Sequence, residues 1–283
     1  MLNTWTCIEV GSEIWTIWQV NRKGNVSAPE QIIMPADNLW NPQTMAKLLA
    51  SPLSGRKILF LLNISSTIIK LSDNTDSTAS GEVLTEEILT LFTLPPGKQS
   101  ADYVFSHNIE GERIWMTAVP AEISNSLIKM CRLKGIRPGR VKIIDTMEHR
   151  MACYLGGLYQ SSLWILLPQE PGIRLIILQE GIPWGCYFFS NDPDFRIWEL
   201  TRLWLCQLNP PQYAVILGRN SNYAWLKDFL ENKSVELLKP DHKMSLKQTW
   251  LEDFLEDNSV DLLKPDHELG FKQAMISEWI KAL

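Results

Sequence analysis

The sequence predicts an α/β protein of two similar lobes, each a mixed sheet flanked by helices. Two series of elements carry that prediction. Thr4–Val10, Glu13–Val20 and Pro29–Met34 read as closely spaced strands, followed by a helix over Asn41–Ala50 and a strand over Lys57–Asn63. Ser162–Leu167, Ile173–Leu178 and Trp184–Ser190 repeat the spacing, followed by a helix over Pro193–Leu208 and a strand over Gln212–Leu217. Strands this close together form antiparallel meanders, because a parallel pair needs a longer crossover. The third observation is the stretch between the two series. Glu112–Gly157 reads strand, helix, strand, helix.

The middle stretch is the most legible. Ile114–Val119 is apolar and rich in β-formers, and Pro120 stands where a first helical turn tolerates it. Ile123, Leu127, Met130 and Cys131 recur at helical spacing, Gly135 is a C-cap, and Pro138 prevents the helix from resuming. Val141–Ile144 fits a central strand, and Asp145 or Thr146 caps a helix with Glu148 in its first turn. Two strands joined by a helix of this length imply a parallel pair in one sheet. In the first series, Ile64–Leu71 reads as a further strand, Asp73–Gly81 as a polar loop and Val83–Leu94 as a helix. Tyr103–Ser106 leads by a turn into the middle stretch. The lobes divide as residues 1–145 and 146–283.

Length and composition bound the rest. With 283 residues, 45% hydrophobic and 21% charged, the chain reads as folded and soluble. A net charge of −5 with no Lys/Arg cluster excludes a nucleic-acid footprint. No apolar run reaches the roughly 20 residues that span a bilayer, so direct membrane insertion is not expected. The start, MLNTWTCIEVG, lacks the basic and apolar regions of a secretory signal. Cys7, Cys131, Cys153, Cys186 and Cys206 are odd in number and dispersed, which reads as buried free thiols in a reducing compartment. The twelve tryptophans read mostly as core.

A tandem repeat lies near the C-terminus. WLKDFLENKSVELLKPDHKMSLKQT (225–249) recurs as WLEDFLEDNSVDLLKPDHELGFKQA (250–274), with 16 of 25 positions identical. That is a recent local duplication, and two copies are too few for a solenoid. Each copy reads as a short helix, a short strand and a Lys-Pro-Asp-His turn. One copy is expected to complete the second lobe, and a last helix over Leu269–Leu283 docks back on it.

The strand ending in Ala118-Val119-Pro120, the helix after it, and KGIRPGRVKIID (134–145) leading into another helix resemble the middle of the PilM family. These are actin-like proteins of type IV pilus assembly, related to the cytoplasmic part of the type II secretion protein GspL. The resemblance follows element order over nearly the whole chain and implies an actin-like, ribonuclease-H-like fold. It implies a place in the cytoplasm at the inner face of the cell membrane. It also implies a partner: the first lobe receives the cytoplasmic N-terminal tail of a PilN-like single-span membrane protein, with the Ala121–Lys134 helix bordering the groove.

In an actin-like ATPase, nucleotide lies between the lobes, against two hairpin turns and a glycine-rich turn. The positions that match here are altered. Glu9 replaces the aspartate that ends the first strand, Gly11 keeps the turn and Ser12 follows it, but Glu13 adds negative charge. The second hairpin, Leu167 to Gly172, lacks the expected aspartate and holds Pro168 and Pro171, which donate no N–H. The adenosine-side turn keeps Gly218 and replaces its second glycine with Arg219, before Asn220. The expectation is therefore a non-catalytic scaffold without ATP or Mg²⁺. An ATP-binding PilM-like protein is the alternative, with a sugar-kinase-like enzyme behind it. No metal site or catalytic triad is read from spacing. His107 and His149 read as structural, and His242 and His267 as equivalents in the repeat.

Overall fold

The computed structural model describes residues 5–21, 23, 25–35, 39–49, 53, 57–73, 92–110, 112–169, 172–190, 192–206, 210–217, 224–238 and 265–282. The chain divides into two units, Met1–Met151 with Ser277–Leu283, and Ala152–Ile276.

The first unit is built on a five-stranded sheet. β1 (Trp5–Gly11), β2 (Ile14–Val20) and β3 (Glu30–Ile33) form the antiparallel meander. Helix α1 (Pro42–Leu48) follows, with Asn41 accepting hydrogen bonds from the Gln43 and Thr44 amides and proline at its first position. β4 (Lys57–Asn63) then returns parallel to β1, and β8 (Val141–Thr146) joins parallel to β4, giving the order β3-β2-β1-β4-β8. Ile8, Val10, Ile58, Phe60 and Leu62 share one face by the two-residue alternation of strands. They pack with Met45 of α1 and with Ile123, Leu127 and Met130 of α2 (Ala121–Leu133). α2 ends as its sequence directs: Gly135 takes φ +70° and the Ile136 amide reaches back to the Cys131 carbonyl.

One expectation fails here. β7 (Arg113–Pro120) is not a parallel neighbour of β8. It is the centre of a separate three-stranded antiparallel sheet, between β5 (Ile68–Asp73) and β6 (Tyr103–Glu110). Tyr103–Ser106, read only as leading by a turn into the middle stretch, belongs to β6, which runs on to Glu110. The crossover rule assumed that β7 and β8 share a sheet, but β7 satisfies its ladder with nearby antiparallel partners, and β8 pairs with β4 instead. The loop and helix expected over 73–94 fall mostly outside the described residues.

The second unit repeats the first sheet. β9 (Leu163–Gln169), β10 (Gly172–Gln179) and β11 (Ile182–Ser190) form a meander, α4 (Pro193–Cys206) follows, and β12 (Tyr213–Ile216) returns parallel to β9. Glu180 and Gly181, both at positive φ, close the two-residue turn between β10 and β11. That turn lies against α3 (Met147–Leu158), where a Cβ on Gly156 would sit 2.1 Å from the Gly181 carbonyl oxygen. α5 (Ala224–Asn232) and β13 (Glu236–Leu237), both from the first repeat copy, complete the order β11-β10-β9-β12-β13.

The last helix, α6, runs Pro265–Ala282 and starts earlier than expected. The second copy's Pro265, Asp266 and His267 therefore open a helix instead of forming a turn, since proline is pre-organised for a first helical position. Its residues from Ser277 onward group with the first unit.

Candidate functional site: the strand ends of the first sheet

Three parallel strands of the first unit end side by side, and their register brings acidic residues into one row. Glu9 of β1 lies opposite Leu61 of β4, and Leu61 opposite Asp145 of β8. Alternation puts these on the face away from the α1–α2 core.

Glu9 is 4% exposed, and its Oε1 accepts a 2.8 Å hydrogen bond from Nδ2 of Asn63 at the end of β4. The turn after it is set by geometry. A Cβ on Gly11 would lie 2.6 Å from the Ile14 carbonyl oxygen, so closing the hairpin itself requires glycine. Ser12 and Glu13 are exposed at the tip, and the Glu13 carbonyl is already taken by the Met34 amide at 2.7 Å.

Asp145 is more heavily partnered. Its Oδ1 accepts from the Thr146 amide at 2.7 Å and lies 3.1 Å from His149 Nδ1. Its Oδ2 accepts from Arg150 Nε at 2.6 Å. Thr146 caps α3, its hydroxyl accepting from the His149 amide at 3.2 Å. His149 is fully buried, with its ring centroid 5.2 Å from that of Trp115 on β7. Asn108 of β6 reaches its Nδ1 at 3.4 Å, and Arg150 lies 5.0 Å from the ring of Trp279 on α6. With the proton on Nδ1, His149 donates to Asp145; without it, Nδ1 accepts from Arg150, 2.9 Å away. Burial pushes the Asp145 carboxyl up, but the hydrogen bond and charge of His149, the Arg150 guanidinium and the Thr146 amide together hold it below its ordinary value.

No known family's sequence model matches the chain, and no curated protein sequence matches it. Solved structures do. A Bacteroides thetaiotaomicron protein of actin-like ATPase fold and unknown function aligns over 83% of this chain and 90% of its own, with TM-score 0.63 and 11% identity. A chain of the PilM–PilN type IV pilus biogenesis complex aligns over 99% of both chains, with TM-score 0.62 and 12% identity. The cytoplasmic domain of EpsL, an inner membrane component of the Vibrio cholerae type II secretion system, covers 96% of this chain and 95% of its own, at TM-score 0.52 and 11% identity.

The chain has the actin-like ATPase fold.

That fold brings Glu9 and Gly11 of the expected site residues to the strand ends, with Ser12 at the exposed hairpin tip. Gly218, Arg219 and Asn220 lie outside the described residues. The second hairpin of this actin-like chain is a tight ladder: Gln169 pairs with Gly172, leaving only residues 170 and 171 between the strands. Gly172 is demanded by packing, since a Cβ there would fall 1.9 Å from the Phe189 carbonyl oxygen. Pro168 lies past the last β12 pairing, so its missing N–H breaks no ladder there.

The Asp145–His149–Arg150 cluster went unread as a unit. Its sequence signal is an acid followed by histidine and arginine four and five positions on, across a strand end and a helix start. The sequence assigned Asp145 to capping and His149 to structure separately.

Among the described residues no group of three or more His, Cys, Asp or Glu could hold a metal ion. Nor are the inner thiols activated. Burial, and secondarily the Glu9 charge, pushes Cys7 well up, and burial raises Cys131 to about 12. All five cysteines are free, but Cys206 is exposed and Cys153 and Cys186 are half-buried, which corrects the reading of all as buried. No helix among the described residues is long and apolar enough to cross a membrane.

Proposed function

We propose that this chain is an actin-like scaffold of a type IV pilus, competence or type II secretion-like assembly, working at the inner face of the cell membrane without hydrolysing nucleotide. It captures the cytoplasmic N-terminal tail of a PilN-like single-span membrane protein. The observation that carries the non-catalytic half is the state of the two strand-end carboxylates. Glu9 is bound to Asn63, and Asp145 to Arg150 and His149. Releasing either toward Mg²⁺ or its waters costs the buried interactions it now makes. An exposed hairpin tip carrying Glu13, and Pro168 and Pro171 with no N–H to donate at the second hairpin, support the same reading. The described residues thus fit Mg-ATP poorly, and no catalytic step is assigned to them.

The capture half is supported by the likeness to a chain of the PilM–PilN complex over 99% of both chains. Peptide capture needs no hydrolysis, so it survives loss of nucleotide chemistry. Ordering a flexible tail offsets part of the contact energy, which sets the expected affinity in the micromolar range, about −8 kcal/mol.

Two measurements test the halves separately. Micromolar Mg-ATP should leave Tm unchanged; a rise of several degrees would restore the ATP-binding reading, since a ligand specific to the native state stabilises it. Fluorescence anisotropy with the labelled N-terminal tail of the neighbouring single-span protein should saturate. Absence of binding, together with phosphorylation of a small molecule by the full chain, would move the protein to the kinase-like alternative.

A further inference from the structure

The second sheet is completed by half of one repeat copy, and the last helix is begun by half of the other. Residues 225–238 of the first copy form α5 and β13, while residues 265–274 of the second copy open α6. The slot beside β12 is therefore filled by a segment whose near-duplicate lies 25 positions further along the chain.

The near-duplicate keeps every residue that the slot reads. Leu226, Leu230 and Val235 are buried in the core of the second unit, and Trp225, Phe229 and Leu237 pack against it. The six equivalents, Trp250, Leu251, Phe254, Leu255, Val260 and Leu262, are identical in type. So is the residue that ends the helix: Ser234 takes φ 56° and lets the Val235 amide reach the Leu230 carbonyl, and Ser259 is its match. Between 225–238 and 250–263 only four positions differ: Lys227, Asn232, Lys233 and Glu236 become Glu252, Asp257, Asn258 and Asp261. All four of the first-copy residues are exposed or half-buried. Three of the four changes alter charge, and Glu236 to Asp261 only shortens an acid. The first segment carries two lysines against three acids, and the second carries five acids and no base.

We propose that the slot beside β12 is a docking site with two interchangeable occupants, and that residues 250–263 take it whenever 225–238 are displaced. The sequence leaving the slot is the same in both copies, Leu-Leu-Lys running into Pro-Asp-His. Lengthening the chain that leads from β12 into the slot costs little, since loop-closure entropy grows only with the logarithm of length. Charge decides which segment is resident. Lys227 lies 3.7 Å from Glu231, an (i, i+4) ion pair, whereas the duplicate sets Glu252 four positions before Glu256, a like-charge pair. The first copy is favoured by that small difference, and the second is the acidic reserve.

Three variants of the full chain test this by thermal melting and gel filtration. Leu226→Asp expels the first copy; rescue by the second holds the loss in Tm under about 4 °C. Leu251→Asp alone has a smaller effect. The double variant has no occupant left and loses its cooperative melt, so the effects are strongly non-additive. The proposal is overturned if Leu226→Asp is as damaging as the double, if Leu251→Asp matches Leu226→Asp, or if Leu226→Asp becomes a concentration-dependent dimer fed from a second chain. A deletion of Trp225–Thr249, joining Ala224 to Trp250, offers the slot only the second copy. It should fold as a monomer, and its failure to fold would equally overturn the exchange.

Discussion

The two five-stranded sheets share one strand plan and differ at the ends of their parallel strands. In the first, β1, β4 and β8 end in Glu9, Asn63 and Asp145, with a buried histidine and an arginine closing the cluster. In the second, the last paired row of β9 and β12 is Leu166 opposite Ile216, followed by Leu167 and Leu217, all buried and apolar. The fifth strands differ accordingly. β8 is six residues long and anchored by charge-assisted hydrogen bonds, while β13 has two residues and is held through the helix before it. A buried charge demands its partners in fixed geometry, whereas a hydrocarbon slot asks only for shape and apolarity. The same architecture therefore carries a rigid edge in one unit and a replaceable one in the other.

The most disruptive test removes the anchor. Asp145→Ala leaves Arg150 and His149 without their carboxylate, and should cost about 3–5 kcal/mol by denaturant unfolding. Hydrogen exchange should show the loss in β8 while β12 stays protected. Equal loss in both sheets would break the contrast. Gly172→Ala tests the second unit at its own tight point, forcing a Cβ into the Phe189 carbonyl. We expect a cost of about 1–3 kcal/mol, with exchange rising in β10 and β11. Asn63→Ala removes one charge-assisted bond to Glu9 and should cost about 1.5 kcal/mol. Ser12→Ala, at the exposed hairpin tip, should stay within about 0.5 kcal/mol in the same assay.

Acid sharpens the comparison. The Asp145 carboxyl is held below its ordinary value of 3.8, so its stabilisation is complete above that value and is lost as pH falls through the folded value. The stability gap between the wild type and Asp145→Asn should therefore be constant near neutrality and narrow below pH 3.8. A gap that persists unchanged into stronger acid would show that the charge contributes nothing.

Much of this was legible in the residues. The paired series of strand, strand, strand, helix and strand was visible because each element carries its own period and its own punctuation. Gly135 after α2 works within a few residues. The repeat was visible as letters. Of the candidate site, Glu9 and Gly11 were legible from position in the chain, since the first strand and its turn are local.

Tertiary structure decided what depends on residues far apart in sequence. Nothing near Arg113–Pro120 says that its partners are β5 and β6, because strand pairing is chosen by which edge is available and not by the strand's own composition. The partnering of Asp145 joins residues of β6, β7, β8, α3 and α6, spread from Asn108 to Trp279. Gly11 reads as an anion-turn glycine until the Ile14 carbonyl is found in the space of its missing Cβ. The sequence by itself determined two lobes, their local caps and turns, and a duplicated segment with one apolar code. Only the folded chain decided that the strand-end carboxylates are held by the protein, and that Leu226, Leu230 and Val235 of the first copy fill the core beside β12, because burial and pairing exist only once distant segments have met.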